Sequence, residues 1–197
     1  MSLEVRRLGE DEAKARFDDL ARLRITVFRD YPYLYDGDAD YERRYLATYF
    51  AADKAVIIGA FNGEELVGAA TAAPLSQHFD AFARPFAERG LKVEEFFYLG
   101  ESVLLAPYRG RGVGVRFFEE REQAARGFGF QACVFSAVVR PPDHPARPAG
   151  HQPLDTFWRR RGYARIPGLV TEFSWREIGE TAETAKPMEY WMRRLDA

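Results

Sequence analysis

A glycine-rich turn in the middle of the chain constrains its fold more than any other segment. Residues 104–115 read Leu-Leu-Ala-Pro-Tyr-Arg-Gly-Arg-Gly-Val-Gly-Val. The turn follows an apolar stretch at residues 96–105, which predicts a long strand, and precedes residues 113–126, where apolar side chains recur at helical spacing. The sequence therefore predicts a strand, a tight turn and a helix at the centre of the protein.

This turn has the chemistry of a phosphate-binding site. Gly110, Gly112 and Gly114 leave their backbone N–H groups unobstructed by Cβ atoms. The first turn of the next helix adds unpaired N–H donors and the positive end of the helix dipole. Arg109 and Arg111 add positive charge that suits a diphosphate.

Three phosphate-binding motifs compete for the turn. A P-loop needs Lys and then Ser or Thr after its last glycine, but Val115 and Arg116 follow here. A dinucleotide-binding turn needs G-x-G-x-x-G, whereas these glycines run G-x-G-x-G and no clear acidic partner follows about 20 residues on. The third motif, Arg/Gln-x-x-Gly-x-Gly/Ala, is matched by Arg109, Gly112 and Gly114. A role in packing alone is the remaining alternative.

The flanking segments predict a mixed sheet with helices on both faces. Asp38 is a candidate cap for an early helix, and Asn62-Gly63 between two apolar runs is typical of a β-hairpin. The other predicted elements are a strand at 3–8, helices at 10–29, 79–86 and 155–161, strands at 132–139, 169–175 and 188–192, and a proline-rich loop at 141–153. Because composition does not change along the chain, we expect a single domain over residues 1–197.

Composition narrows the functional classes. Hydrophobic residues make up 47% and charged residues 29%, which is typical of a globular protein. The single Cys133 allows no internal disulfide, the N-terminus is charged, and no apolar run approaches the roughly 18 residues of a membrane span. The net charge of −2 is dispersed. We therefore expect a cytoplasmic protein with small-molecule partners, with no nucleic-acid or membrane partner.

His144 and His151, without a nearby Cys, do not form a metal-ligand pattern, so no metal is expected.

In this setting the turn resembles the pyrophosphate loop of the GNAT superfamily, the general N-acetyltransferases that use acetyl-CoA. The order of the predicted elements is similar to that of the superfamily, and residues 23–35 and 187–191 resemble a bacterial subset. The resemblance implies an α/β (α+β) fold with a GNAT-like mixed, mostly antiparallel sheet of about seven strands. It also implies acetyl-CoA as co-substrate, a small-molecule primary amine as acceptor, and a homodimer as a common assembly.

The resemblance assigns the cofactor-binding residues as well. The strand before the turn splays from its neighbour in this family, and its backbone there pairs with the pantetheine arm of the cofactor. In this sequence the pairing residues would be Val103, Leu104 and Leu105. The residues that would hold the diphosphate are Arg109, Gly110, Arg111, Gly112, Val113, Gly114 and Val115.

Glu101 is the candidate general base. It lies in the apolar strand just before the turn, where the family often has a carboxylate that acts through water. Burial makes a carboxylate a better proton acceptor near neutral pH. The alternative, that Glu101 faces solvent or pairs with an arginine, stays open. In a regular strand Ser102 would point to the opposite face.

The general acid departs from the family pattern. The family commonly has a tyrosine four residues before the glycine that ends the late helix, and counting back from Gly162 gives Trp158, which has no hydroxyl. Tyr163, a tyrosine of the 31–35 loop or water could replace it. A CoA-binding regulatory module without catalysis is therefore the alternative function.

Tyr33 and Tyr35 are the candidate acceptor-binding residues. Their rings, together with nearby aspartates, would suit a cationic amine. For the aspartates a local role is favoured, because Asp36 precedes Gly37 in a turn and Asp38 can cap a helix.

Overall fold

The computed structural model describes residues 3–195. Within that range it forms one seven-stranded sheet and six α-helices. The strands are β1 (Glu4–Arg7), β2 (Val56–Asn62), β3 (Glu65–Pro74), β4 (Phe96–Leu104), β5 (Ala132–Val138), β6 (Ala164–Trp175) and β7 (Thr184–Arg194). The helices are α1 (Glu10–Ala15), α2 (Phe17–Phe28), α3 (Ala39–Ala51), α4 (Asp80–Glu88), α5 (Val113–Phe128) and α6 (Asp155–Arg160). None of the helices between residues 3 and 195 is long and apolar enough to cross a membrane.

The sheet is mixed and mostly antiparallel, as predicted. Its strand order is β1-β2-β3-β4-β5-β7-β6, and only β4 and β5 run parallel. Their ladder has three residue pairs, from Phe96 opposite Ala132 to Tyr98 opposite Val134. Beyond Tyr98 the two strands diverge, so a gap opens in the sheet toward the C-terminal ends of β4 and β5.

Helices cover both faces of the sheet, which confirms the predicted layering. Ile58 of β2 packs in one core cluster with Phe117 of α5, whereas its neighbour Ile57 packs in another with Leu46 of α3. Successive strand residues point to opposite faces, so α5 and α3 lie on opposite sides. Phe82 of α4 joins a third cluster.

Some element boundaries differ from the predictions. The predicted helix at 10–29 is two helices, because the backbone leaves the helical region at Arg16, where φ is −99° and ψ is 17°. Strands β6 and β7 extend beyond the predicted 169–175 and 188–192. Their extra residues are mostly exposed, so the apolar pattern did not mark them. Gly168, with φ of +67°, lies where the register between them shifts.

Several local predictions are confirmed. Asp38 caps α3, since its carboxylate accepts a hydrogen bond from the Tyr41 N–H at 2.7 Å. Gly63 turns the β2–β3 hairpin with φ of +64°. Gly162 follows α6 with φ of +84°, as expected for a residue that ends a helix.

Candidate active site

A bulge near the end of β4 turns Glu101 toward the gap. The register between β3 and β4 shifts between Ala70 and Ala72, so Thr71 lies opposite both Gly100 and Glu101. As a result Gly100 and Glu101 line the same cavity although they are adjacent in the strand. A Cβ on Gly100 would lie 2.4 Å from the Thr71 hydroxyl oxygen, so the bulge needs glycine here.

Glu101 is buried and ion-paired. Its Oε2 lies 3.0 Å from Nη1 of Arg24 on α2, and it accepts a hydrogen bond from the Tyr45 hydroxyl of α3 at 3.0 Å. The Nε of the same Arg24 donates to Oε2 of Glu42 at 2.5 Å. The guanidinium carbon lies 3.7 Å from the centroid of the Tyr45 ring. Arg24 is thus held between two carboxylates and an aromatic face.

Burial and charge together shift the pKa values of Arg24, Glu42 and Tyr45. Burial by itself lowers the pKa of Arg24, but the nearby Glu101 and Glu42 carboxylates outweigh it and raise that pKa well above its ordinary value. Burial raises the pKa of Glu42 despite the opposing effect of Arg24. Burial also raises the pKa of Tyr45 well above its ordinary value. Arg24 therefore stays charged, Tyr45 stays a neutral phenol, and Glu42 keeps a proton more readily than an exposed glutamate does.

Arg121 supports the bulge from the opposite face of the sheet. It is 1% exposed, and its Nη1 donates to the backbone oxygens of Thr71 at 3.3 Å and Glu101 at 3.2 Å. Its Nη2 donates to the Ser102 hydroxyl at 2.8 Å. Ser102 therefore faces away from the cavity, as the sequence predicted. Because a bulge locally disrupts the ladder, these side-chain bonds satisfy carbonyls near the irregularity and hold it in place.

The cavity beside Glu101 has mostly aromatic walls. Its empty volume is about 550 Å³, part of it open to solvent. Tyr33 and Tyr35, the predicted acceptor-binding residues, both line it. The other lining residues are Arg24, Phe28, Tyr41, Tyr45, Phe82, Tyr98, Gly100, Glu101, Ser136, Phe173, Trp175 and Met188.

The backbone of β4 beyond the bulge borders the gap. Val103 pairs with β3 and its side chain is fully buried. Leu105 donates its N–H to the Val67 carbonyl of β3 at 3.0 Å. Backbone groups of successive strand residues point to opposite sides, so those of Leu104 face the gap. The Leu104 carbonyl accepts a hydrogen bond from Nε of Arg109 at 3.1 Å, which ties the gap to the turn.

The glycine turn is open at its surface. Gly110 and Gly112 have φ of +77° and +79°, and a Cβ on either would have no heavy atom within 4 Å. Arg111 is exposed, with its guanidinium carbon 5.7 Å from the Tyr108 ring centroid. Arg109 is half-exposed and lies 3.7 Å from Asp30. The turn therefore presents its backbone without a covering side chain.

Helix α5 begins directly after this turn. Its first residue, Val113, is buried in the core, and no side chain caps its first turn. Gly114 and Val115 complete that turn, and a Cβ on Gly114 would make an ordinary contact with Phe157 of α6 at 3.6 Å. The N–H groups here have no partner within the helix, so they can bind an anion.

Among the hydroxyl groups that the sequence offered in place of one at Trp158, those of Tyr33 and Tyr35 belong to residues that line the cavity, whereas Tyr163 does not line it. Trp158 packs against aromatic rings of β5 and β7. Tyr163 is 2% exposed and donates its hydroxyl to Glu122 at 3.1 Å, on the α5 side of the sheet. Ser136 of β5 instead lines the cavity, with its Oγ 2.7 Å from the Tyr98 hydroxyl.

Sequence reasoning allowed for an arginine partner of Glu101, which the structure confirms, but it identified neither Arg24 nor Glu42. Arg24 follows Leu23 on the apolar face of α2, and Glu42 lies three residues before Tyr45 on the buried face of α3. A charged residue on an otherwise apolar helix face was the available signal, because such a residue is almost never buried without a partner. The pairing itself depends on how the helices pack.

The chain is similar to known acetyltransferases in sequence. Residues 19–149 match the profile of the Acetyltransferase (GNAT) family, about two thirds of the chain. Among curated proteins, none matches the sequence at a significant level.

Solved structures extend this similarity to the whole fold. A ribosomal-protein-alanine N-acetyltransferase from Brucella melitensis is 14% identical, with a TM-score of 0.63 and coverage of 98% of this chain and 99% of that one. The protein yncA from Salmonella typhimurium, solved with its cofactor acetyl-CoA, is 10% identical, with a TM-score of 0.60 and coverage of 100% and 95%. PaiA N-acetyltransferase from Thermoplasma acidophilum, in complex with coenzyme A, is 10% identical, with a TM-score of 0.53 and coverage of 99% and 100%. At these identities the likeness concerns the fold alone.

Proposed function

The chain belongs to the acetyltransferase (GNAT) family, and on that premise we propose that it moves an acetyl group from acetyl-CoA to the primary amine of a small-molecule acceptor by direct attack. One observation carries the proposal. Strand β4 holds Glu101 beside an open cavity, then borders the gap at Leu104, and then leads into the glycine turn. The whole chain would act as one acyltransferase domain.

The co-substrate fits the gap and the turn by its chemistry. Its diphosphate would accept hydrogen bonds from the backbone N–H groups between Gly110 and Val115, at the positive end of α5. Its pantetheine arm carries amides that can pair with the backbone of Leu104, whose N–H and carbonyl face the gap and whose carbonyl already accepts one hydrogen bond from Arg109. Such pairing would bring the thioester into the gap next to the bulge.

The acceptor amine would reach the thioester from the cavity. The nitrogen lone pair forms the new bond to the thioester carbonyl carbon, and Glu101 accepts the proton that the nitrogen loses, through water. The carbon–sulfur bond then breaks, and the electron pair stays with the sulfur of CoA. The products are an amide and the thiol form of CoA once the sulfur is protonated.

Ser136 is the hydroxyl that β5 contributes beside this reaction path. Its Oγ is 2.7 Å from the Tyr98 hydroxyl, and burial holds the pKa of Tyr98 well above its ordinary value, so that phenol stays protonated. We propose that Ser136 and Tyr98 pass a proton to the departing sulfur. They would replace the tyrosine that is common in the family at the position that Trp158 occupies here.

A ligand panel followed by a transfer assay tests the proposal. CoA and acetyl-CoA are expected to raise the melting temperature, because a ligand that binds only the folded state stabilises it, while NAD and ATP leave it unchanged. Acetyl-CoA together with a library of primary amines should then release free thiol. Binding of CoA without thiol release would favour the regulatory module that Trp158 suggests. Stabilisation by NAD alone would contradict the proposal.

A further inference from the structure

The walls of the cavity beside Glu101 offer ring faces and few free polar groups. Nine of its fourteen lining residues are aromatic. The hydroxyls of its tyrosines are largely engaged: Tyr35 bonds to the backbone of Asp38, Tyr41 to the carbonyl of Ser174, and Tyr45 to Glu101. An acceptor with a polar body would therefore find few hydrogen-bond partners in these walls.

The only cation among the lining residues is already neutralised. Arg24 contacts both Glu101 and Glu42, at 3.0 Å and 2.5 Å. A carboxylate on the acceptor would have to compete with these two buried partners or remain unpaired in an aromatic cavity. An unpaired buried charge is strongly unfavourable.

Two further cations lie behind the cavity wall. The guanidinium carbon of Arg140 is 6.0 Å from the Trp175 ring centroid, and Nζ of Lys186 is 5.2 Å from it. Arg140 pairs with Glu177 and Lys186 pairs with Glu180, and neither cation lines the cavity. They are therefore not available to an acceptor carboxylate. They also occupy the Trp175 ring, which makes it a poor place for a second ammonium group.

From these contacts we infer that the acceptor is a small monoamine with an apolar aromatic or branched body and no carboxylate. Its amine lies at the Glu101 end of the cavity, and its body lies against Phe173, Trp175 and Met188. The inference rests on the proposed acetyl transfer and specifies its acceptor class.

A matched pair of acceptors tests the role of the carboxylate. 2-Phenylethylamine and phenylalanine share a ring and a primary amine, but only phenylalanine has a carboxylate. With acetyl-CoA and full-length protein, we expect kcat/KM for 2-phenylethylamine to exceed that for phenylalanine by at least about 100-fold, since a stranded buried charge is strongly unfavourable. Spermidine, whose further ammonium groups would approach the cations Arg140 and Lys186 at the Trp175 ring, should be at least about tenfold poorer than 2-phenylethylamine. Thiol release gives the rates, and mass spectrometry identifies each acetylated amine.

A pair of variants tests where the apolar part of the acceptor binds in the cavity. Phe173→Leu removes a ring from the cavity wall and should raise KM for 2-phenylethylamine about five- to tenfold, with KM for acetyl-CoA unchanged. Phe128→Leu removes an exposed ring of α5 outside the cavity and should change neither value. A melting curve for each variant separates a binding effect from unfolding.

The outcomes distinguish this inference from the proposed function. If acetyl-CoA does not bind, or binds and releases no thiol with any amine, the proposed function itself fails. If acetyl-CoA binds but phenylalanine or spermidine is acetylated at least as well as 2-phenylethylamine, the acceptor class is overturned while acetyl transfer stands. The class is also overturned if other amines are acetylated but none of benzylamine, 2-phenylethylamine and isoamylamine is.

Discussion

Arg24 Nη1 lies 3.0 Å from Glu101 Oε2, which ties the candidate base on β4 to helix α2. The two side chains are 6% and 3% exposed, and Glu42 accepts the Nε–H of the same guanidinium. Removing one member of such a buried cluster leaves the others without full compensation. The contact between α2 and β4 therefore affects both the stability of the fold and the chemistry of the site.

Loss of the Arg24 cation should destabilise the protein strongly. Arg24→Met leaves Glu101 and Glu42 buried without their partner, so we expect the free energy of unfolding to fall by about 3–5 kcal/mol in urea titrations at pH 7.5. Arg22→Met is the control, because Arg22 is 62% exposed on the same helix and pairs only at the surface with Asp19. Its effect should stay below about 1 kcal/mol. Equal effects of the two substitutions would argue against a buried ion cluster.

The Glu42 carboxyl should make stability depend on pH. Because burial raises its pKa above the ordinary 4.5, folded protein retains a proton that the unfolded chain loses, and this contribution to stability declines as pH rises above 4.5. Glu42→Gln has no such proton. Its deficit in unfolding free energy relative to the unmodified protein should therefore be largest at pH 5 and shrink by pH 8, in urea titrations at several pH values.

The exposed Glu64 provides the matched control, because Glu64→Gln is the same substitution made at the surface. Its effect on the free energy of unfolding at pH 7.5 should stay within about 0.5 kcal/mol. A deficit of Glu42→Gln that grows with pH would contradict the raised pKa of Glu42.

Removal of the candidate base should affect turnover and leave cofactor binding intact. Glu101→Gln keeps the shape of the side chain but cannot accept a proton, so kcat should fall about 10²–10⁴-fold. The dissociation constant of CoA, from calorimetry, should change little because Glu101 lies outside the turn. Glu94→Gln, at an exposed position before β4, should retain full activity. Normal turnover by Glu101→Gln would exclude Glu101 as the base.

Two glycines with the same backbone conformation allow the effect of backbone strain on stability to be distinguished from an effect on CoA binding. Gly112 and Gly63 have φ of +79° and +64°, and a Cβ on either meets nothing within 4 Å. Gly112→Trp and Gly63→Trp should each lose about 1–2 kcal/mol of unfolding free energy from the left-handed conformation. Only Gly112→Trp should lose CoA affinity in calorimetry, because its indole would cover the N–H groups of the turn. Equal CoA affinity in both variants would refute the assignment of the turn.

The bulge should tolerate no side chain at Gly100. A Cβ there would lie 2.0 Å from the Tyr49 hydroxyl oxygen, so Gly100→Ala should lower the free energy of unfolding by about 1–3 kcal/mol. Tyr49→Phe removes that oxygen, and the double variant should recover part of the loss in a double-mutant cycle. Strict additivity of the two substitutions would show that the clash is relieved elsewhere.

The strand, turn and helix at the centre could be predicted from sequence because their signals are local. At Gly110 and Gly112 a Cβ would have no heavy atom within 4 Å, which agrees with the expectation that these glycines leave the backbone of the turn unobstructed. Asp38 as a cap and Gly63 in the hairpin are likewise decided within a few residues. The roles of these glycines in CoA binding stay predictions.

The surroundings of Glu101 could not be predicted, because they depend on contacts between distant segments. Arg24 and Glu42 come from different helices and meet only when both helices pack on the sheet. The direction of Tyr163 depends on the face of the sheet it meets, and it turns to Glu122. Sequence spacing alone does not fix either contact.

The three-pair ladder between β4 and β5 has a mechanical consequence. It joins a four-stranded half of the sheet, β1 to β4, to a three-stranded half, β5 to β7. A ligand that binds in the gap and forms hydrogen bonds to both β4 and β5 would connect the two halves of the sheet. Deuterium exchange at the Leu104 amide would then slow on binding. The two halves of the sheet would also move less relative to each other when the gap is occupied.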